Sequence, residues 1–265
     1  MQIRFNCYKD GKHKALTMSY DDGQRHDLRL LEIFDRYGIK GTFHLNSDNL
    51  GKELFVTPEE VTNAYAGHEV SVHSLTHPFL ERISDGEVVN EILEDRKNLE
   101  ALCGYPVRGM SYPFGTYTQE LIGKLRTLGM QYSRTIKNTG KFDLPEDFMA
   151  WHPTCHHCDP KLMERLENFK RHKYPMPLLY VWGHSYEFPR DNNWEVIERF
   201  CAEASGDPDV WYATNIEIFD YVTALRGLRF SADRTMVYNP SATDVWVEVD
   251  RLPACCPAGK ITKFC

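Results

Sequence analysis

With 265 residues, 42% of them hydrophobic, and a mean hydropathy of −0.49, the chain can form one sizeable domain with a full core. A net charge of −7 argues against a nucleic-acid partner, which needs a basic face. No apolar run is long enough to cross a bilayer, which argues against a membrane partner as well.

The N-terminus, Met1 to Asp10, has no apolar h-region, so the expected location is cytoplasmic; secretion after removal of a leader is the alternative. Eight irregularly spaced cysteines in a chain too large to need staples read as reduced thiols. Strand-like and helix-like segments then alternate. Ala15–Tyr20 reads as a buried strand ending in Asp21-Asp22-Gly23, and Asp27–Tyr37 as a helix stopped by Gly38. Gly41–Asn46 is a second strand. Thr57-Pro58 caps and opens a helix to Ala66, and Glu69–His73 is a third strand. Ser84 and Glu87 form a capping box at the head of a helix to Leu102. Gly109–Phe114 is the fourth strand and Thr118–Leu128 the next helix. Tyr132–Ile136 and Ala150–Pro153 read as short strands, and Pro160–Lys173 as a helix. Pro177–Gly183 is a strong buried strand, followed by a helix over Trp194–Ala204, a strand over Val210–Thr214 and a helix over Ile216–Leu225. After Gly227 the pattern turns to β alternation, with Asn239-Pro-Ser-Ala as a hairpin turn and Cys255-Cys256 in a turn. The division expected is a domain over 1–226 and a small β appendage over 227–265, packed on it. The alternation predicts an α/β fold, a parallel sheet or barrel with helices outside. In such folds catalytic groups lie at the C-terminal ends of strands. Asp21, Asp22, His73 and His184 fall there.

Two adjacent carboxylates at a strand end are costly to bury unless a metal or another cation neutralises them. The spacing His73-Ser-Leu-Thr-His77 turns two imidazoles the same way if the chain coils helically after the third strand. With one carboxylate they make an open three-ligand set, suited to catalytic zinc or a related divalent ion. Zinc is the first expectation, and cobalt, nickel or manganese fit the same donors. Cys155-His-His-Cys158 has the spacing of half a structural zinc site without a second half, and reads better as a loop lining the cleft.

These residues resemble the polysaccharide deacetylase family, the NodB-homology domain of carbohydrate esterase family 4. Its T-F-D-D-G motif is similar to Ser19-Tyr20-Asp21-Asp22-Gly23, its H-[ST]-x-x-H motif to His73–His77, and its Y-P-x-G motif to Tyr112–Gly115. An Asp four residues before a Trp is matched by Asp147 and Trp151, and a strand ending in His by Val181–His184. The resemblance covers roughly residues 10–225 and implies a distorted (β/α) barrel of about seven strands. It also implies that Asp22, His73 and His77 hold the metal, and that Asp21 is the general base toward water. The backbone N–H of Phe114 would serve the oxyanion and His184 protonates the leaving group. Asp147 tunes His184, while Tyr112 and Trp151 face the substrate. By their place after the strand end, Tyr186 and Phe188 are expected to stack on a sugar ring. Many members carry an Arg where this chain has Ser111; Arg108, further back, is either its replacement on Asp21 or a surface arginine. Tyr20 and His44 also depart from the family's more aromatic versions, which points to a subgroup with its own substrate.

The function expected is a metal-dependent deacetylase acting on an acetylated carbohydrate, N- or O-linked, as a small sugar or oligosaccharide. The alternatives are a metal-independent amidohydrolase of cyclic amides on the same scaffold and a catalytically dead sugar-binding module. The sequence carries no signal for oligomeric state.

Overall fold

The computed structural model describes every residue except Tyr174 and Cys265. After a two-residue strand β1 (Ile3–Arg4), eight parallel strands among the described residues make the central sheet: β2 (Lys14–Asp22), β3 (Gly41–Leu45), β4 (Glu69–Val72), β5 (Gly109–Ser111), β6 (Tyr132–Arg134), β7 (Cys155–His156), β8 (Leu178–His184) and β9 (Val210–Tyr212). Their order is β6-β5-β4-β3-β2-β8-β7. The N-terminal half of β2 pairs with β9, and its C-terminal half with β3. The segment 151–157 spans the gap between the edge strands. Thr135 donates to the Trp151 carbonyl on one side, and Thr154 and His157 donate to β8 on the other. The result is a distorted (β/α) barrel.

Among the described residues, eight helices surround it: α1 (Asp27–Tyr37), α2 (Pro58–Ala64), α3 (Asp85–Cys103), α4 (Gln119–Thr127), α5 (Leu162–Arg171), α6 (Glu187–Asp191), α7 (Trp194–Ala204) and α8 (Asn215–Arg226). Alternation along the strands sorts the side chains. Leu16, Met18 and Tyr20 of β2 enter one apolar cluster with Leu30, Leu31 and Phe34 of α1. Thr17, Ser19 and Asp21 face the interior, where Thr17 bonds Asn215 and Ser19 bonds His44. Local signals set several helix ends as the sequence predicts. Gly38 takes the left-handed cap of α1 at φ 64°. Thr57 with Glu60, and Ser84 with Glu87, close reciprocal capping boxes. None of the described helices is long and apolar enough to cross a membrane.

Four local expectations fail. Ala150–Pro153 is not a strand: a 3-10 turn over Phe148–Ala150 ends in an isolated bridge between Trp151 and Arg134. Pro153 has no N–H for a ladder, and the strand forms two residues later as β7. Helix α6 went unread because of Pro189, which sits in its first turn, where no amide is needed. Asn239-Pro-Ser-Ala makes no hairpin. It leads from β11 (Met236–Tyr238), which pairs with β10 (Arg229–Phe230) and β14 (Ile261–Lys263), to β12 (Val245–Val249), which pairs with β1 and β13 (Leu252–Cys256). Asn239 is buried and donates to the Thr243 and Cys256 carbonyls, both at 2.8 Å. Cys255 and Cys256 therefore lie in a strand rather than a turn. The two small antiparallel sheets pack on the N-terminal end of the barrel strands. One apolar cluster joins Tyr8, Tyr180 and Tyr221 to Val237, Val245 and Val247.

Candidate active site

Neighbouring side chains on a strand point to opposite faces, so Asp21 and Asp22 share one cleft only if the backbone departs from β geometry. It does so at Asp22, where φ is 79°. Asp21 ends buried at the barrel mouth. The Ser111 hydroxyl donates to its Oδ1 at 3.1 Å, and Arg134 forms a short ion pair with its Oδ2. Arg134 is itself fully buried, its guanidinium 4.4 Å from the Trp182 ring centroid. Ser111 and Arg134 are register partners on β5 and β6. The arginine missing at position 111 is supplied one strand across.

The two histidines converge without the helical turn expected after β4. The chain bends instead through Ser74 at φ 64° and His77 at φ 63°, with the His77 N–H on the Ser74 hydroxyl at 3.1 Å. Asn46 Nδ2 donates to the His73 and Ser74 carbonyls at 2.6 and 2.8 Å. Asp95 accepts from the His73 N–H, and Glu91 accepts from Thr76. The rings lie 4.7 Å apart. His73 Nδ1 reaches the Ser111 carbonyl at 3.1 Å and its hydroxyl at 2.6 Å. With the Nδ1 proton spent there, the Nε2 lone pair is free toward Asp22 Oδ1, 3.6 Å away. His77 Nε2 lies 3.9 Å from the same oxygen. One donor atom from each of Asp22, His73 and His77 falls within 4.8 Å of the others. A carboxylate and two oriented imidazoles fit a divalent ion with positions left open.

His184, at the end of β8, brings Nε2 to 4.0 Å from Asp21 Oδ2 and Nδ1 to 3.6 Å from Glu187 Oε1. Phe114, at φ 58° in the turn after β5, stacks on Phe79 at 3.8 Å and meets the His77 ring edge-on at 4.5 Å. Tyr186 lies with its ring 5.2 Å from that of His184. Four of the ten described non-glycine residues with positive φ (Asp22, Ser74, His77 and Phe114) gather here, each at a cost of about 1–3 kcal/mol that the rest of the fold must over-determine.

Five expected residues are elsewhere. Asp147 pairs with Arg126 at 2.6 Å on the surface and caps the turn at Met149; Glu187 is the carboxylate beside His184. Arg108 is held by Asp220 and Gln131 and does not reach Asp21. Trp151 is core, packed edge-on against Tyr132, Phe148 and Tyr180. Tyr112 is buried as well, its hydroxyl on the Met149 carbonyl and its ring stacked on Tyr117. Phe188 is buried too, stacked on His157. Sequence reading missed Arg134 and Glu187. Arg134 lay inside the strand expected over Tyr132–Ile136 and ends only the shorter strand that forms, Tyr132–Arg134, so a strand-end rule did not reach it; Glu187 was missed because its helix went unread.

Burial alone would raise the Asp21 pKa, but Arg134, with His73, His44 and His184, outweighs it and holds the carboxyl well below the usual range. Burial depresses His73 and, more strongly, His44, so both imidazoles are neutral near pH 7. Burial works against the His184 imidazolium, yet Glu187, Asp21 and Asp22 together raise its pKa. The site thus sets an ionised carboxylate beside a histidine inclined to hold its proton.

Residues 8–133 match the family model for polysaccharide deacetylase, and this stretch belongs to that family. The match takes in Asp21, Asp22, His73, His77 and Phe114 and stops before Arg134 and His184. A chitooligosaccharide deacetylase of Bradyrhizobium sp. (strain ANU 289) is 26% identical over 121 residues, 44% of this chain and 53% of that protein. A peptidoglycan-N-acetylglucosamine deacetylase of Bacillus cereus is 33% identical over 116 residues, covering 43% of this chain and 40% of that one. The chain therefore spans about half or less of the length of these curated relatives. A putative polysaccharide deacetylase from Mycobacterium smegmatis, solved by crystallography, superposes with a TM-score of 0.64 over 83% of this chain and 93% of that one, at 18% identity, which establishes the shared fold.

Proposed function

We propose that this chain, with its polysaccharide deacetylase stretch at residues 8–133, removes acetyl groups from a carbohydrate with the help of a divalent ion. Asp22, His73 and His77 would hold the ion; the observation that carries the reading is their convergence beside Asp21 and His184. When bound, the ion supplies Lewis acidity toward the acetyl carbonyl and toward water. Asp21 stays ionised because Arg134 faces it, and it takes the proton of the attacking water. So acidic a carboxyl is a weak base, and it serves only where that water is already made acidic. The Phe114 amide faces the oxyanion that develops. His184 Nε2 gives its proton to the departing amine or alcohol, and the Glu187 carboxylate, 3.6 Å from Nδ1 on the far side of the ring, favours the charged imidazolium. Tyr186 walls the cleft at the same end. The similar proteins from Bradyrhizobium and Bacillus cereus carry names that share an acetylated amino sugar, which makes an N-acetylated oligosaccharide the first substrate to try.

The test is acetate release across N- and O-acetylated sugars, oligosaccharides, chitin and peptidoglycan, with chelator and with zinc, cobalt, nickel or manganese added back. Release from soluble sugars that stops on chelation and returns with metal is the expected result. Asp21→Asn should lose activity while retaining metal, and His73→Ala should lose metal as well. Turnover untouched by chelation would return the chain to the metal-independent amidohydrolases, and sugar binding without acetate release would make it a binding module.

A further inference from the structure

We propose a second metal site, separate from Asp22, His73 and His77, formed by His156, His157, Cys158 and Glu187 and suited to zinc. One donor atom from each of the four lies within 4.8 Å of all the others. Glu187 Oε2 is central, 3.1 Å from His156 Nε2 and 3.2 Å from His157 Nε2. Two imidazoles, a thiolate and a carboxylate are zinc donors, and the sulfur disfavours calcium or magnesium. Four protein donors close the coordination shell, as in structural sites.

An independent observation comes from His157. The residue is 1% exposed, yet neither ring nitrogen has a hydrogen-bond partner, because the approach of Nε2 to Glu187 lacks the geometry of one. Buried polar atoms of this kind are rarely left unmet, and a ligand is one way to meet them. The ring is deliberately seated, with Phe188 stacked on it at 4.2 Å and Tyr20 at 5.6 Å. Gly183 makes room, since a Cβ there would lie 1.9 Å from His157 Nδ1. His156 is held by the Cys158 N–H at Nδ1 and by Glu187 at Nε2; one of these two contacts gives way to the ion. The C-x-x-C spacing misleads about the ligands. Cys155 is buried in the apolar core, and the other half of the site is Glu187, brought from α6. Glu187 Oε1 meanwhile faces His184 Nδ1 at 3.6 Å, so an ion on Oε2 would fix the carboxylate that lies beside His184.

The test uses the full chain under reducing conditions, stripped of metal and titrated with cobalt(II), with zinc content measured in parallel. Wild type should take up two equivalents and develop a thiolate-to-cobalt charge-transfer band in the near ultraviolet. Cys158→Ser, at an exposed position where folding is not at stake, should lose that band and one equivalent. His157→Ala should do the same. His73→Ala should lose the other equivalent and keep the band, so failure at either site is read separately. Absence of the band in wild type, or its survival in Cys158→Ser, overturns the proposal.

Discussion

Asp21 and Arg134 are a buried ion pair in which each residue makes the other tolerable. Breaking such a pair by removing one partner leaves an uncompensated charge and costs about 3–5 kcal/mol. Arg134→Met should therefore lose about that much stability to urea, and acetate release should fall roughly 10²-fold or more as Asp21 loses the partner that holds it ionised. Adding Asp21→Asn should recover part of the stability and none of the activity. Additive losses in the double variant would show that the two residues do not act as a pair. At this scale the sequence was informative where one rule applied, that charged groups ending strands meet at the mouth; it located Asp21, Asp22, His73 and His184. Arg134 escaped that rule because the strand expected there ran on to Ile136 and left it inside, while Arg108 entered as one of two readings through its nearness to the motif. Register decides between them, and register is a long-range property: Ser111 faces Arg134 across β5 and β6, whereas Arg108 lies ahead of β5 and turns to Asp220.

Elements were legible wherever the signal was local. The caps of α1, α2 and α3 are written in Gly38, in Thr57 with Pro58, and in Ser84 with Glu87, and each forms as read. The loop after β4 was not, because nothing in Ser74 or His77 announces a left-handed backbone; neighbours impose it. Asn46 at the end of β3 does much of this, with both amide hydrogens on the His73 and Ser74 carbonyls. Asn46→Ala would leave two buried acceptors unmet, at about 1–3 kcal/mol. It would also free the loop that aims both imidazoles. Partners of this kind commonly set metal affinity by about 10–100-fold. Calorimetric titration of the metal-free Asn46→Ala protein should show a loss in that range at the Asp22, His73 and His77 site, with the thiolate band of the other site unchanged. Unaltered affinity in a destabilised Asn46→Ala protein would mean that the loop holds its shape without the amide.

Across the whole molecule the unusual feature is a polar barrel interior, and Glu69 is its junction. It accepts from Tyr132 of β6 at 2.6 Å, from Thr42 of β3 at 3.0 Å and from the amide of Ile216 in α8 at 2.8 Å. Burial nevertheless outweighs these bonds and pushes its pKa from an ordinary 4.5 up to about 7. Between those two pH values the folded chain holds a proton that the unfolded chain has released, so stability must fall as pH rises, by about 1.4 kcal/mol per unit for this group. Below pH 4.5 its contribution is complete; above about 7 it is lost. Asp27, raised to about 7 by its own burial, adds a second slope of the same sign. Glu69→Gln removes the first slope and leaves the second. In urea denaturation at pH 5, 6, 7 and 8, the stability of Glu69→Gln relative to wild type should climb by about 1.4 kcal/mol per unit up to pH 7 and then level off. A difference that stays constant over this range would mean that Glu69 is ionised throughout, with its three donors strong enough to hold a bare carboxylate in the barrel.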